Sequence, residues 1–177
     1  MQTERRSDRT RSQLMSAFTG LVFAKGFENI SVRGVVAAAG VARSTFYEHF
    51  SDKEDVLRAC MTRFFATIAD CMCDDAQPPE LMRVLDHLWS NRRLTDGIFT
   101  GQARVVLSRN QADLIESRLR SMNNDLALPS RLVAVQIAEA QLALIESWMR
   151  GHSHCPIERV AVGLHRSSRG LAMALIT

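Results

Sequence analysis

Residues that interrupt helices are rare in this chain. Glycine contributes 9 and proline 4 of the 177 residues, about 7% together against a usual share of roughly 12%. So few helix breakers favour long helices and exclude collagen-like and low-complexity classes. Hydrophobic residues make up 46% and charged residues 23% of the chain, enough apolar surface for a packed core and unlike a disordered chain.

Apolar spacing predicts helices along the whole sequence, so we expect an all-α protein of about nine helices. In Ser7–Lys25 the apolar residues recur at i, i+3, i+4, i+7 and i+8, the spacing of one helical face. Beyond the acidic, proline-containing stretch 74–79, turn residues separate five further segments. These predicted helices are Pro79–Arg93, Gly97–Ser108, Gln111–Ala127, Ser130–Arg150 and Pro156–Ile176.

The N-terminal part has the pattern of a helix-turn-helix. Ser31 is a candidate N-cap of a short second helix, and a third helix is expected at Arg43–His49. The segment that joins them, residues 39–42, contains Gly40. Three amphipathic helices in such a short stretch, the last two joined by a glycine-containing turn, are typical of a DNA-binding helix-turn-helix.

A fourth helix is expected to begin after Ser51 or Asp52 and to run to about Met72. The Ser51 and Glu54 spacing is that of a capping box, in which each residue bonds the main chain of the other. The sequence therefore predicts a DNA-binding domain at residues 1–53 and a second helical domain at residues 54–177.

The second helix of a helix-turn-helix presents its N-terminal residues to base edges in the major groove. Arg43, Ser44 and Thr45 occupy these positions and are the candidate base readers. Arg43 suits a bidentate contact to guanine. Tyr47 and His49 follow on the same helix as candidate donors to phosphate oxygens.

Further phosphate contacts are expected where the neighbouring helices begin. Ser31 and Arg33 lie at the start of the second helix and Lys53 at the start of the fourth, where free main-chain amides also attract anions. A basic arm before the first helix is either a phosphate-binding extension or a solvated tail. The arm contains Arg5, Arg6, Arg9 and Arg11.

The run from Ser31 to Asp55 resembles the DNA-binding domain of the TetR family of one-component transcriptional regulators. The resemblance lies in Ala-Gly-Val at 39–41, Thr-x-Tyr-x-His-Phe at 45–50 and Lys-Glu at 53–54. It implies a regulator, most commonly a repressor, that binds a pseudo-palindromic double-stranded operator as a homodimer. Ala42 departs from the pattern, since Ser or Thr commonly caps the recognition helix there.

The resemblance also implies that the second domain encloses a small-molecule effector, whose binding changes the separation of the two DNA-reading heads. Apolar residues on its central helices point to a hydrophobic or aromatic effector. The candidate lining residues are Phe64, Phe65, Ile68, Met72, Met82, Leu85, Trp89, Phe99 and Val106.

The last two predicted helices favour a homodimer. Ser130–Arg150 has little polar face and must be covered on more than one side, and the final helix carries small residues that permit close approach. A two-fold four-helix bundle buries both helices. The candidate interface residues are Leu142, Ile145, Trp148, Val160, Leu164 and Leu171.

Two other functions remain open. A metal- or redox-sensing regulator would use Cys71, Cys73, His152, His154 and Cys155. An enzyme is not expected, because the sequence has no Ser/His/Asp constellation, phosphate-binding glycine loop or HExxH motif, and no cofactor is implied.

The first ten residues have no apolar secretory core, and no stretch is expected to approach the roughly 18 apolar residues of a membrane span. We therefore expect a cytoplasmic chain with reduced cysteines and no membrane partner. The net charge of +3 does not decide the function.

Overall fold

The computed structural model describes residues 2–92, 96–122, 125–152 and 154–177, with side chains described throughout except at residues 2–5 and 96. These residues form eight α-helices and no strand. The side chain of Arg5 and the predicted helical residue Arg93 lie outside the described residues. The helices are α1 (Gln2–Lys25), α2 (Val32–Ala39), α3 (Arg43–His49), α4 (Lys53–Asp70), α5 (Leu81–Ser90), α6 (Gly101–Met122), α7 (Ser130–Met149) and α8 (Ile157–Ala174).

The chain forms two compact units. The first contains Met1–Met61 with Gly97–Val106, and the second contains Thr62–Asp96 with Leu107–Thr177. Helices α4 and α6 each contribute residues to both units. The first unit therefore includes a short piece of chain that comes long after the predicted helix-turn-helix.

The first unit is built around aromatic and aliphatic side chains from α1 to α4. Leu14, Phe18, Phe46 and Leu57 are buried, and the Phe18 ring meets the Phe27 ring edge to face at 6.2 Å. Edge-to-face rings fill core space and add a favourable quadrupole contact. This core holds α2 and α3 in place.

Helix α6 corrects the predicted break at Asn110. Gly101–Met122 is a single helix where the sequence indicated two, Gly97–Ser108 and Gln111–Ala127, and Asp96–Phe99 forms a short 3-10 turn before it. Asn110 is buried within this helix. The low helix propensity of asparagine is worth only a few tenths of a kcal/mol, so packing overrides it.

The core of the second unit is packed against one face of α7. Its buried residues come from α4, α6, α7 and α8, together with the turn that follows α4. The chain itself thus covers one broad face of the apolar α7, whereas Leu132 and Val135 on the same helix remain exposed. The core residues are Ala69, Met72, Ala112, Ile115, Leu119, Val133, Ala134, Ile137, Ala138 and Ala172.

This packing also changes the role of the predicted dimer residues. Leu142, Ile145, Trp148, Val160 and Leu164 are buried within the single chain, and Leu171 is partly buried against the same core. A side chain enclosed by its own chain offers no surface to a second copy. An interface on α7 and α8 has to use their exposed neighbours.

Helix α7 corrects one further expectation. Among the described helices, Ser130–Met149 is long and apolar enough to cross a membrane by length and composition alone. Half of its apolar window, 50%, is buried inside the structure, as in the core helix of a globular protein. Burial in the core accounts for the apolar residues on one face of α7, whereas Leu132 and Val135 lie exposed.

Candidate nucleic-acid interface

The turn between α2 and α3 depends on defined caps. The Ser31 hydroxyl accepts a hydrogen bond from the Gly34 amide at 3.2 Å, as its predicted N-cap role requires. Gly40 adopts the left-handed conformation at φ 65°. There the amides of Gly40 and Val41 close back onto carbonyls of the last turn of α2, a glycine-dependent way to end a helix.

Helix α3 has a buried aromatic side. Phe46 and Phe50 are buried, and the Phe46 ring lies 5.4 Å from the ring of Tyr47 and 5.9 Å from that of Phe50. Ala42 stands at the N-cap without a side-chain cap bond. The amides of the first turn are therefore free of a capping side chain.

The predicted base readers lie on the other side of α3. Arg43 and Ser44 are exposed, and Thr45 is half-buried. Arg33, at the start of α2, is also exposed. The helix-turn-helix thus presents a polar surface that includes two arginines.

Arg43 and Tyr47 form a pair one helical turn apart. The Arg43 Nη2 donates a hydrogen bond to the Tyr47 hydroxyl at 3.2 Å, and its guanidinium lies 5.6 Å from the centre of the Tyr47 ring. Tyr47 is nevertheless 49% exposed. The contact orients the guanidinium on the outer face and leaves its remaining donors available.

A groove of about 530 Å³ lies between the start of α1 and the α3 region. It brings Arg6 of the predicted basic arm to the same surface as Thr45 and His49, two of the predicted DNA-contacting residues. Its full lining is Arg6, Ser7, Thr10, Val41, Ala42, Thr45, Glu48 and His49.

Lys53 has partners within its own unit. Its Nζ donates to the main-chain carbonyl of Phe27 at 3.0 Å and contacts that of Glu28 at 3.5 Å, and it lies 4.4 Å from the centre of the Phe27 ring. The ammonium therefore ties α4 to the 3-10 turn at Phe27–Asn29. The predicted phosphate contact would compete with these carbonyls.

The cap of α4 differs from the predicted Ser51–Glu54 box. Asp52 Oδ1 accepts from the Asp55 amide at 2.7 Å, and Asp55 Oδ2 accepts from the Ser51 amide at 3.2 Å. Asp52 thus caps the Asp55 amide, and the Asp55 side chain reaches back to the amide of Ser51. Glu54 is left for another contact.

Glu28 makes a contact that the sequence did not reveal. Its Oε1 accepts a hydrogen bond from the Gln102 amide at 2.8 Å, across 74 residues of sequence. The Gln102 side chain in turn donates to Glu54 at 3.3 Å. A carboxylate at the first turn of a helix satisfies a free amide and complements the helix dipole, so Glu28 caps α6.

The predicted effector residues are divided between the two units. Phe99 and Val106 belong to the first unit and the other seven to the second. In the second unit the Phe64 ring stacks on His87 at 5.1 Å, and Trp89 stacks on Trp148 at 4.7 Å. The sequence assigned Trp89 to the effector lining and Trp148 to the dimer interface. In the structure the two rings pack against each other.

The predicted metal or redox ligands have no shared geometry in the described residues. There, no three His, Cys, Asp or Glu side chains are close enough to hold a metal ion. Burial raises the pKa of the Cys71 thiol to about 12. Burial also raises the pKa of the Cys73 thiol, and the Asp70 carboxylate adds to both shifts. Both environments favour the neutral thiol over the thiolate that binds metals and reacts with oxidants.

Helices α2 and α3 and the Gly40 turn between them form a helix-turn-helix with an exposed polar face on α3. Residues 15–60 match the family model of bacterial regulatory proteins of the tetR family. The N-terminal domain of this chain is a TetR-family domain.

A curated relative is similar to the same part of the chain. The chain is 31% identical over 80 residues to the uncharacterized HTH-type transcriptional regulator YxbF of Bacillus subtilis, a match that covers 45% of this chain and 21% of that protein. The matched region thus spans about a fifth of that relative's length.

Two solved structures share the fold over almost the whole chain. A TetR transcriptional regulator from Streptococcus agalactiae superposes with a TM-score of 0.59 at 18% identity, covering 95% of this chain and 98% of that one. NalD of Pseudomonas aeruginosa superposes with a TM-score of 0.54 at 20% identity, covering 96% and 97%. At these identities the likeness establishes the fold.

Proposed function

We propose that this chain is a ligand-responsive transcriptional repressor. As a homodimer it binds a pseudo-palindromic operator, and a small effector that binds the second unit releases it. The observation that carries the proposal is the polar outer face of α3, where Arg43 and Ser44 are exposed opposite the buried Phe46 and Phe50.

In the proposed complex the N-terminal end of α3 enters the major groove. Arg43 reads a guanine, an interaction worth about 1–3 kcal/mol of discrimination. Arg33, the hydroxyl of Tyr47 and His49 contact phosphates, which set the position of α3 on the duplex. The groove shared by Arg6, Thr45 and His49 supports a basic arm that follows the backbone.

The homodimer uses the exposed faces of α7 and α8. Val135 and Leu132 on α7 and Val162 and Met173 on α8 are exposed apolar side chains. A two-fold arrangement of these helices buries them without disturbing the core. Two heads related in this way read half-sites about 34–36 Å apart, or multiples of that distance.

Effector control requires a path between the two units. Helix α4 begins at Lys53 in the first unit and continues to Phe64 and Phe65 in the second. An effector that binds only one arrangement of these helices shifts the population away from the DNA-bound form. The predicted aromatic and aliphatic lining residues would pack against an effector that is largely apolar.

Selection of bound DNA from a random pool tests the proposal. The full chain is expected to enrich inverted repeats whose half-sites are separated by about one helical turn or a multiple of it. Affinity for the enriched site should fall steeply with salt, because phosphate contacts release counterions. Enrichment of no sequence, or of a site without two-fold symmetry, would contradict the proposed dimeric repressor.

A further inference from the structure

A buried polar cluster lies inside the second unit. Gln111 on α6, Gln141 on α7 and Ser168 on α8 are each at most 1% exposed. Gln111 Nε2 donates to Gln141 Oε1 at 2.6 Å. Gln141 Nε2 donates both to Ser168 Oγ and to the main-chain carbonyl of Ile68, each at 2.9 Å. The cluster thus connects four helices around one amide.

These contacts fix which end of each amide faces its neighbour. The Ile68 carbonyl can only accept, so Gln141 presents its NH₂ group there and its oxygen to Gln111. Gln111 must then present its own NH₂ group, because two amide oxygens would repel each other. Its Oε1 remains, and this buried acceptor has no hydrogen-bond partner among the described residues.

An unpaired buried acceptor is costly, by about 1–3 kcal/mol. A donor that reaches Gln111 Oε1 removes this penalty and therefore gains affinity. Ile68, which the sequence places in the effector lining, contributes its carbonyl to the same cluster. The polar cluster therefore includes the main chain of one residue of the expected effector lining.

We propose that Gln111 Oε1 is the polar contact of the effector, which is an uncharged molecule with a hydroxyl or amide donor on an apolar body. The inference rests on the proposed ligand control and narrows the effector class. A charged ligand is disfavoured, because the cluster consists of neutral groups and would leave the charge buried without a counter-ion.

The neighbouring Asn110 is not part of the proposed effector contact. Its Nδ2 is also buried without a partner among the described residues. Consecutive residues on a helix, however, point about 100° apart, so Asn110 and Gln111 face different surroundings. Only Gln111 is joined to the cluster that spans α4, α7 and α8.

Matched probes test this assignment on the full chain. Phenol and benzamide carry the donor, whereas anisole and N,N-dimethylbenzamide lack it. We expect the first two to raise the melting temperature and to bind in calorimetry, and the methylated pair to bind about threefold to tenfold more weakly, the loss of one neutral hydrogen bond. Gln111→Met should remove the difference within each pair.

Ser168→Ala is the matched control, because it alters the far end of the cluster and leaves Gln111 bonded to Gln141. It should keep the preference for the donor probes. If Gln111→Met does not fold, Gln111→Asn, one methylene shorter, should reduce the preference instead. The inference would be overturned if the wild-type chain bound the two probes of each pair equally or bound no probe. It would also be overturned if the Gln111 variants kept the preference for the donor probes.

Operator binding by the same wild-type sample separates this inference from the proposed function. Specific DNA binding with no probe preference means that the Gln111 contact is wrong and the DNA-binding role stands. A probe preference lost in Gln111→Met, without specific DNA binding, means that the ligand site is right and the repressor role is wrong.

Discussion

Arg43 and Tyr47 are paired through a side-chain hydrogen bond of 3.2 Å before any DNA is present. An exposed contact of this kind contributes little stability, but it restricts where the guanidinium points. A reader that is already oriented loses less side-chain entropy when it binds a base. Tyr47 thus has two uses in the proposed complex, since it orients Arg43 and offers its own O–H to a phosphate.

The two exposed arginines should behave differently on substitution. Arg43→Ala should relax the base preference at one position of each half-site, at a cost of about 1–3 kcal/mol on the best site. Arg33→Ala should instead weaken binding to all sequences and lower the salt slope by about one. Repeating the DNA selection and the salt titration on both variants measures these effects. An unaltered base preference in Arg43→Ala would rule out its reading role.

Cys71 should make stability depend on alkaline pH. Burial raises the pKa of its thiol from 9.0 to about 12, so above pH 9 the unfolded chain loses this proton while the folded chain keeps it. The free energy of unfolding should then fall with pH, by up to about 1.4 kcal/mol per pH unit. Denaturant unfolding of Cys71→Ala between pH 8 and pH 10.5 should show a shallower decline, and an equal slope would contradict the assignment.

At the level of single residues, the sequence predicted the local roles and missed the distant ones. The Ser31 cap and the Gly40 turn follow from spacing over a few residues. The Glu28–Gln102 bond joins positions 74 apart, which no local pattern encodes. A polar Gln141 among the apolar positions of α7 was the available signal for the buried amide cluster.

Gly20 within α1 and Gly40 at the end of α2 affect the stability of their helices in different ways. Gly20 is exposed in the middle of α1, and an added Cβ would meet nothing within 4 Å. Gly40 also has open space, but its φ of +65° is one that a residue with a Cβ adopts only at a cost. An added Cβ therefore has room at both positions, and the two glycines differ only in whether the backbone conformation tolerates it.

Alanine at these two positions should have opposite effects on stability. Gly20→Ala should raise the free energy of unfolding by about 0.5–1 kcal/mol, because alanine favours the helix. Gly40→Ala should lower it by about 1–2 kcal/mol through the strained left-handed conformation. Guanidinium unfolding of both variants checks the sign, and a shift in the same direction would contradict this account.

Helix existence was easier to predict than helix continuity. The apolar periodicity indicates a helix on each side of Asn110, and both stretches are helical. What the periodicity cannot supply is the packing that buries Asn110 and keeps α6 unbroken. The choice of Asp55 over Glu54 in the α4 cap is also set by tertiary structure, because Glu54 bonds Gln102 instead.

For the whole molecule, several predicted interface residues are buried within the single chain, and this changes which substitutions can test dimerisation. A charge at Leu142 or Leu164 would enter the core of the second unit, where both side chains are fully buried, and would unfold it rather than separate two copies. The exposed apolar side chains of α7 and α8 are the proper targets. Val162 is 41% exposed on α8.

Val162→Arg should convert the proposed dimer to a monomer in sedimentation, because it places an unpaired charge within the interface. Val105→Arg is the matched control, since Val105 is 40% exposed on α6 and belongs to the first unit. The control should sediment as the wild type does. A Val162→Arg chain that remains dimeric would place the interface on another surface.

The inclusion of Gly97–Val106 in the first unit bears on the order of events during synthesis. A ribosome adds about 5–20 residues per second, so roughly 2 to 9 s separate the appearance of Met61 from that of Val106. During that interval Glu28 has no α6 to cap. The nascent first unit is therefore complete only after Val106 has been translated.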